Sequence, residues 1–287
     1  MRSGTFAEHP EDPHVAHRPR LLGGTSVWPM PDIPVRSAAS VAYGAEAVRA
    51  DLAEHGIAVL DAASTATAAQ LRALGESLGV PMPERAPAVQ PYVEDGVVLN
   101  LVADQGHTAD TDLAPFAKNF LSLHSEGSGR AAAEQPRHIV LTCVDPGDDA
   151  ASAQTVLVPM ARVADALTAE QLDLLSATSY AHLAESGPTI ARHVEGRVVF
   201  SFRDFMSDPL EWVCAAPGPA DGSDVAAALR ALLTAMYTVE PAGVHWRPGR
   251  LVVIDNTFSF HGRGAGSAAA GSRHRHLRRV RVVDHVS

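Results

Sequence analysis

The chain has 287 residues, 46% of them hydrophobic and 20% charged, which is ordinary for a globular protein and long enough to bury a sizeable core. A formal net charge of −10 argues against a surface built for nucleic acid or an anionic membrane. No apolar run approaches the roughly 18–20 residues of a membrane span.

Residues 1–40 are rich in Pro, His and Arg and show no sustained period, so they read as an irregular N-terminal arm. The spacing of Ala45, Val48 and Leu52 predicts a helix over 44–56, stopped at Gly56, and "IAVLDA" (57–62) a buried strand. A polar start, a face of Leu71, Leu74 and Leu78, and a closing Gly79 predict a second helix over 64–80. "GVVLNLVAD" (96–104) is a strand, and 105–119 a polar connection into "LSLHSEGSG" (121–129). "RHIVLTCVDP" (137–146) and "AQTVLVPM" (153–160) read as a hairpin around a Pro-Gly-Asp turn. Thr168 and Gln171 have capping-box spacing ahead of a short helix. A strand pair follows over 192–204, then an amphipathic helix over 223–239, then "LVVIDN" as a strand with a loop after it, and a last alternating strand over 276–285. Strands at both ends with helices among them predict an α+β, mainly β chain: one sandwich or barrel domain over 41–287 with helical decoration. Cys143 and Cys214 lie in apolar contexts and read as reduced thiols. The first twenty residues lack the apolar core of a signal peptide, so cytoplasm is the expected compartment.

The chemistry starts at His124 and Glu126. Residues i and i+2 of a strand share a face, so an imidazole and a carboxylate there can meet one atom. His261 follows another apolar strand and completes a two-His, one-carboxylate set, which leaves three positions open on an octahedral ferrous ion. An isolated H-x-E arises readily by chance; its company gives it weight. Arg275, in "SRHRHLRRVRV", suits the distal carboxylate of a chelating keto acid, since guanidinium offers a planar two-pronged donor. Thr155 offers a helping hydroxyl.

Together "LSLHSEG", "HIVLTCVDP", "AQTVLVPM", "VVIDNTFSFHGR" and "RHRHLRRVRV" resemble the iron(II)/2-oxoglutarate-dependent oxygenases, and within them the clavaminate synthase-like branch of the taurine-dioxygenase (TauD/TfdA) superfamily. The resemblance covers roughly residues 50–285. It implies a double-stranded β-helix, or jelly roll, with flanking helices. It implies Fe(II) on His124, Glu126 and His261, 2-oxoglutarate on Arg275 and Thr155, and dioxygen as the oxidant. Arg279 falls where relatives often place a second arginine near a substrate carboxylate. The hairpin lacks the glycine pair that often precedes the threonine. Glu126 is present, which argues against a halogenase.

The implied reaction is hydroxylation of an unactivated carbon of an amino acid or amino-acid-derived small molecule, free or carrier-bound, in specialised metabolism. Desaturation and cyclisation would use the same residues. Rival readings are a non-catalytic metal- and 2-oxoglutarate-binding sensor, and a metal-dependent lyase. For the substrate, the resemblance makes a lid of the segment holding Asp112 and Lys118. Arg203, Asp204 and Asp208 in "FSFRDFMSDPLEW" offer the cation and anion that an α-amino acid needs. Phe200, Phe202 and Phe205 read as core.

Overall fold

The computed structural model describes residues 1–24, 26–39, 45–103, 113–117, 119–148, 151, 153–183, 187–206, 208–216, 222–265 and 273–285. Two facing sheets form its centre. The larger runs Val35–Ala38, Ile57–Ala62, Arg250–Asp255, His138–Asp145, His276–Val283, Val98–Val102 and Val93–Glu94 in spatial order, with Val80–Pro81 paired to the end of His276–Val283. The smaller runs Ala242–Val244, Thr155–Pro159, Ser259–Arg263 and Leu121–His124. Their pairings are antiparallel, apart from Val35–Ala38 on Ile57–Ala62. This is the jelly roll, with helices on both outer faces.

The alternation of each strand sorts its side chains into layers. Val140, Leu251, Val253, Val280 and Val282 face outward onto Leu52, Leu71 and Leu74 of the helices Ala45–His55 and Ala68–Leu78. Ile139, Leu141, Val252, Ile254 and Leu277 face inward and meet Leu157 and Val244 of the smaller sheet, with Trp246 just beyond its edge strand. The far face of that sheet, with Leu123, Val156, Val158 and Phe260, packs on Leu229, Leu232, Leu233 and Met236 of the helix Gly222–Thr238. Each such side chain contributes about 1.5–3 kcal/mol by leaving water. The capping box expected at Thr168 and Gln171 is present, and Thr67 with Gln70 forms a second reciprocal box that starts its helix at Ala68.

Three expectations are corrected. The 137–146 and 153–160 segments are not a hairpin: His138–Asp145 belongs to the larger sheet and Thr155–Pro159 to the smaller. Both are continuously buried strands, and such runs do not reveal their partners. The segment after "LVVIDN" is not a loop, because Ser259–Arg263 forms a strand of the smaller sheet. The arm is not irregular. Arg2–Phe6 is a strand on Leu210–Cys214, and Pro13–Leu22 is a helix against Gly222–Thr238. Its order comes from partners some two hundred residues away, which local periodicity does not report.

Candidate active site

The jelly roll brings His124 and His261 opposite each other across neighbouring strands of the smaller sheet, with ring centroids 4.4 Å apart. Gly262 lets those strands close: a Cβ there would lie 2.8 Å from the Leu121 carbonyl oxygen. Glu126 sits just past the strand end, ahead of Gly127, whose φ of 72° takes the backbone through the left-handed region. Asn256 fixes this turn by accepting from the Glu126 amide (2.8 Å) and donating to the Glu126 and Pro136 carbonyls (both 2.9 Å). Glu126 Oε2 then lies 3.6 Å from His124 Nε2 and 3.7 Å from His261 Nε2. One donor atom from each of the three residues falls within 4.8 Å of the others, and no other cluster of this kind occurs among the described residues.

The electrostatics suit a divalent cation. His124 Nδ1 lies 2.8 Å from the Ser122 carbonyl oxygen. A carbonyl only accepts, so Nδ1 carries the proton and Nε2 presents its lone pair to the cluster. Burial, helped by the His124 ring, pushes the His261 pKa down to about 4, so that imidazole is neutral at neutral pH. Burial alone would raise the Glu126 pKa, but Arg279, the two imidazoles and Arg281 outweigh it and hold the carboxyl well below its usual range.

These residues line a cavity of about 450 Å³ that also takes in Thr155, Arg203, Phe205, Arg263, Arg275, Arg279 and Arg281, with Leu101, Ile139, Leu141 and Leu277 as apolar wall. Arg275 is buried, donates from Nη1 to the Ala153 carbonyl oxygen (3.1 Å), and leaves Nε without a partner. Among the described residues no carboxylate pairs with it. Burial, and then the nearby Arg263, draws its pKa well down. A guanidinium held this way is stabilised by an anion entering the cavity. Thr155 Oγ1 accepts from Trp246 Nε1 (3.3 Å) on the same wall. Arg263 is satisfied otherwise, by the carbonyls of Pro115, Ala117 and Asn119 (2.8 Å to the last), which ties down the segment leading to His124.

The substrate residues expected from sequence divide. Arg203 lines the cavity. Asp204 does not: it is buried on the other side of the chain, where it accepts from Arg18 Nε (2.6 Å), Arg18 Nη2 (2.9 Å) and the Tyr237 hydroxyl (2.6 Å). Adjacent residues of an extended segment point to opposite sides, so one of the pair had to turn away. Asp208 is exposed and away from the cavity. Asp112 and Lys118 lie outside the described residues. Arg279 faces the cavity, but its Nη1 and Nη2 donate to Glu126 (3.5 Å) and Glu84 (3.1 Å). Sequence reasoning missed Glu84 and Arg281 as parts of the site. Arg281 donates to Glu126 (3.2 Å) and Glu84 (2.6 Å), and the two arginines bridge the two carboxylates. Strand alternation from Arg279 signals Arg281; nothing local signals Glu84. Phe200 and Phe202 are core, whereas Phe205 lines the cavity.

The profile of the taurine catabolism dioxygenase TauD, TfdA family matches residues 29–281. The chain belongs to the TauD/TfdA family. It is accordingly an iron(II)/2-oxoglutarate-dependent dioxygenase. No curated protein sequence matches it. Among solved structures, this TauD/TfdA chain is similar to PvcB, an Fe, alpha-ketoglutarate-dependent oxygenase from an isonitrile synthetic pathway. The identity is 25% and the TM-score 0.57, over 88% of this chain and 84% of that one. An asparagine oxygenase in complex with Fe(II), 3-hydroxyasparagine and succinate is 18% identical with a TM-score of 0.63, over 86% and 80% of the two chains. OrfP, a non-heme iron oxygenase in complex with Fe and alpha-ketoglutaric acid, is 18% identical with a TM-score of 0.62, over 84% and 80%. The last two establish likeness of fold. No helix among the described residues is long and apolar enough to cross a membrane.

Proposed function

We propose that this dioxygenase hydroxylates an unactivated carbon of an amino acid or amino-acid-derived small molecule, with His124, Glu126 and His261 holding iron(II) and with Arg275 and Thr155 holding 2-oxoglutarate. One observation carries the assignment of residues. A cavity that gathers two imidazoles and an ionised carboxylate also holds a buried arginine with no carboxylate partner among the described residues. Such a donor set fits a ferrous ion with open positions, and such an arginine fits the distal carboxylate of a keto acid.

When bound, the iron supplies the oxidative decarboxylation of 2-oxoglutarate coupled to oxidation of a substrate C–H bond. The chain's residues do the rest by position. Ser122 sets the His124 tautomer. Arg279 and Arg281 engage Glu126 Oε1, which leaves Oε2 facing the imidazoles. Leu101, Ile139, Leu141 and Leu277 keep water from the cosubstrate wall. The amino-acid class is supported by relatives of the same fold whose complexes contain 3-hydroxyasparagine and a dihydroxy-L-arginine.

The test is succinate formation from 2-oxoglutarate with iron(II) and oxygen, screened over free and N-acylated amino acids. The expected result is stimulation by at least one of them, abolished in His124→Ala. No stimulation by any would overturn the substrate class, and succinate formation surviving in His124→Ala would overturn the assigned centre.

A further inference from the structure

Six arginines line the cavity, Arg130, Arg203, Arg263, Arg275, Arg279 and Arg281, against a single described carboxylate, Glu126. Four are accounted for. Arg263 is engaged by backbone carbonyls, Arg279 and Arg281 pair through their terminal nitrogens with Glu84 and Glu126, and Arg275 faces the cosubstrate wall with Thr155. Arg130 is exposed. Arg203 remains: half-buried, and without a carboxylate partner among the described residues.

Its backbone forms an isolated antiparallel bridge with His124. Residues directly opposed across such a bridge project to the same face, with Cβ atoms about 4.5–5.5 Å apart. Arg203 therefore stands beside an iron-ligating histidine and points into the same cavity. Its guanidinium lies over the Phe205 ring, 5.1 Å from the centroid, an orientation that leaves the edge donors available. The backbone under it is held by hydrogen bonds on both sides. Asp204 is clamped by Arg18 and Tyr237, its carbonyl accepts from Ser122 Oγ (3.0 Å), its amide donates to the Leu123 carbonyl (3.0 Å), and Asp204 Oδ1 accepts from the Met206 amide (2.8 Å). Family analogy would assign a substrate carboxylate to Arg279, but both terminal nitrogens of Arg279 already face carboxylates.

We infer that Arg203 is the residue that recognises the substrate, by binding a carboxylate on it, and that the substrate is therefore an acid docked next to His124. This deepens the function proposed above and rests on it. A carboxylate held at this point fixes how far along the molecule the oxidised carbon lies, so Arg203 would set regiochemistry as well as affinity.

The experiment is a calorimetric titration of the full chain loaded with manganese(II) and saturated with 2-oxoglutarate, so that Arg275 is already occupied. The probes are L-leucine, L-phenylalanine, L-glutamine and L-arginine, free and N-acetylated, each against its primary carboxamide. At least one acid should bind about tenfold or more tighter than its amide, as one charge-assisted pair requires. Arg203→Gln should abolish that ratio, Arg203→Lys should keep part of it, and Arg279→Gln should keep it while weakening manganese binding. The inference is overturned if no acid outbinds its amide, or if Arg203→Gln preserves the ratio. The 2-oxoglutarate titration that precedes these steps separates the two readings: its failure would overturn the proposed function, whereas success followed by equal acid and amide binding would overturn this inference alone.

Discussion

The two oxygens of the Glu126 carboxylate have different tasks. Oε1 accepts from Arg279 and Arg281, while Oε2 lies between the two imidazoles. The arginines hold the group ionised and turned, so that one oxygen is left for a metal. Glu126→Gln removes the charge, and its amide nitrogen can only donate where an acceptor is needed. Iron(II) affinity should fall by more than the roughly 10–100-fold that loss of a ligand's supporting partner costs. Competition against a colorimetric chelator measures this, and unchanged affinity would remove Glu126 from the centre. The triad was legible because its signal is short-range: an i, i+2 pair on a strand and a histidine after a second apolar strand. Asp204 was misread because composition named a nearby anion but did not say on which side of the chain it lay.

At the scale of elements, the strand pattern was readable and the pairing was not. "RHIVLTCVDP" and "AQTVLVPM" were recognisable as strands, yet they lie in opposite sheets, because a chain building a jelly roll crosses between sheets where a meander would turn back. The N-terminal helix Pro13–Leu22 was invisible for another reason: its fixed position depends on Arg18 reaching Asp204 and Glu8, and on Arg230 donating to Asp12 (2.6 Å). His14 is buried in that contact, 3.4 Å from Glu8, and burial, only partly offset by Asp204 and Glu8, lowers its pKa from 6.5. The unfolded chain therefore takes up a proton near pH 6.5 that the folded chain resists, so His14 makes stability fall as the pH drops below that value. His138, His261 and His276 are shifted the same way, and a variant is needed to isolate the one group. His14→Leu should lose less stability than wild type between pH 7 and 5 in urea melts. Equal losses would mean that His14 binds its proton equally well in the folded and unfolded chain, and so would contradict the lowered pKa.

For the whole molecule, composition bounded the class, and the family resemblance supplied the architecture. Only the folded chain shows how the cavity's charges are distributed. The strand His276–Val283 and the residue just before it put Arg275, Arg279 and Arg281 on the inner side, while Arg278 turns outward to Asn100, Glu94 and the Ala66 carbonyl oxygen. Arg273 lies before the strand and pairs with Asp145 and Asp148 at the surface. Of the three inner arginines of this segment, Arg275 alone lacks a carboxylate partner among the described residues, and the account rests on it. The direct measurement is an anaerobic titration of the iron(II)-loaded chain with 2-oxoglutarate, followed by the metal-to-ligand absorption band. Wild type should develop the band on saturation. Arg275→Ala should need roughly 30-fold to several-thousand-fold more 2-oxoglutarate, the equivalent of the about 2–5 kcal/mol that losing one partner of a buried charged pair costs. Arg278→Ala should titrate like wild type. No band in wild type, or equal losses at positions 275 and 278, would contradict the account.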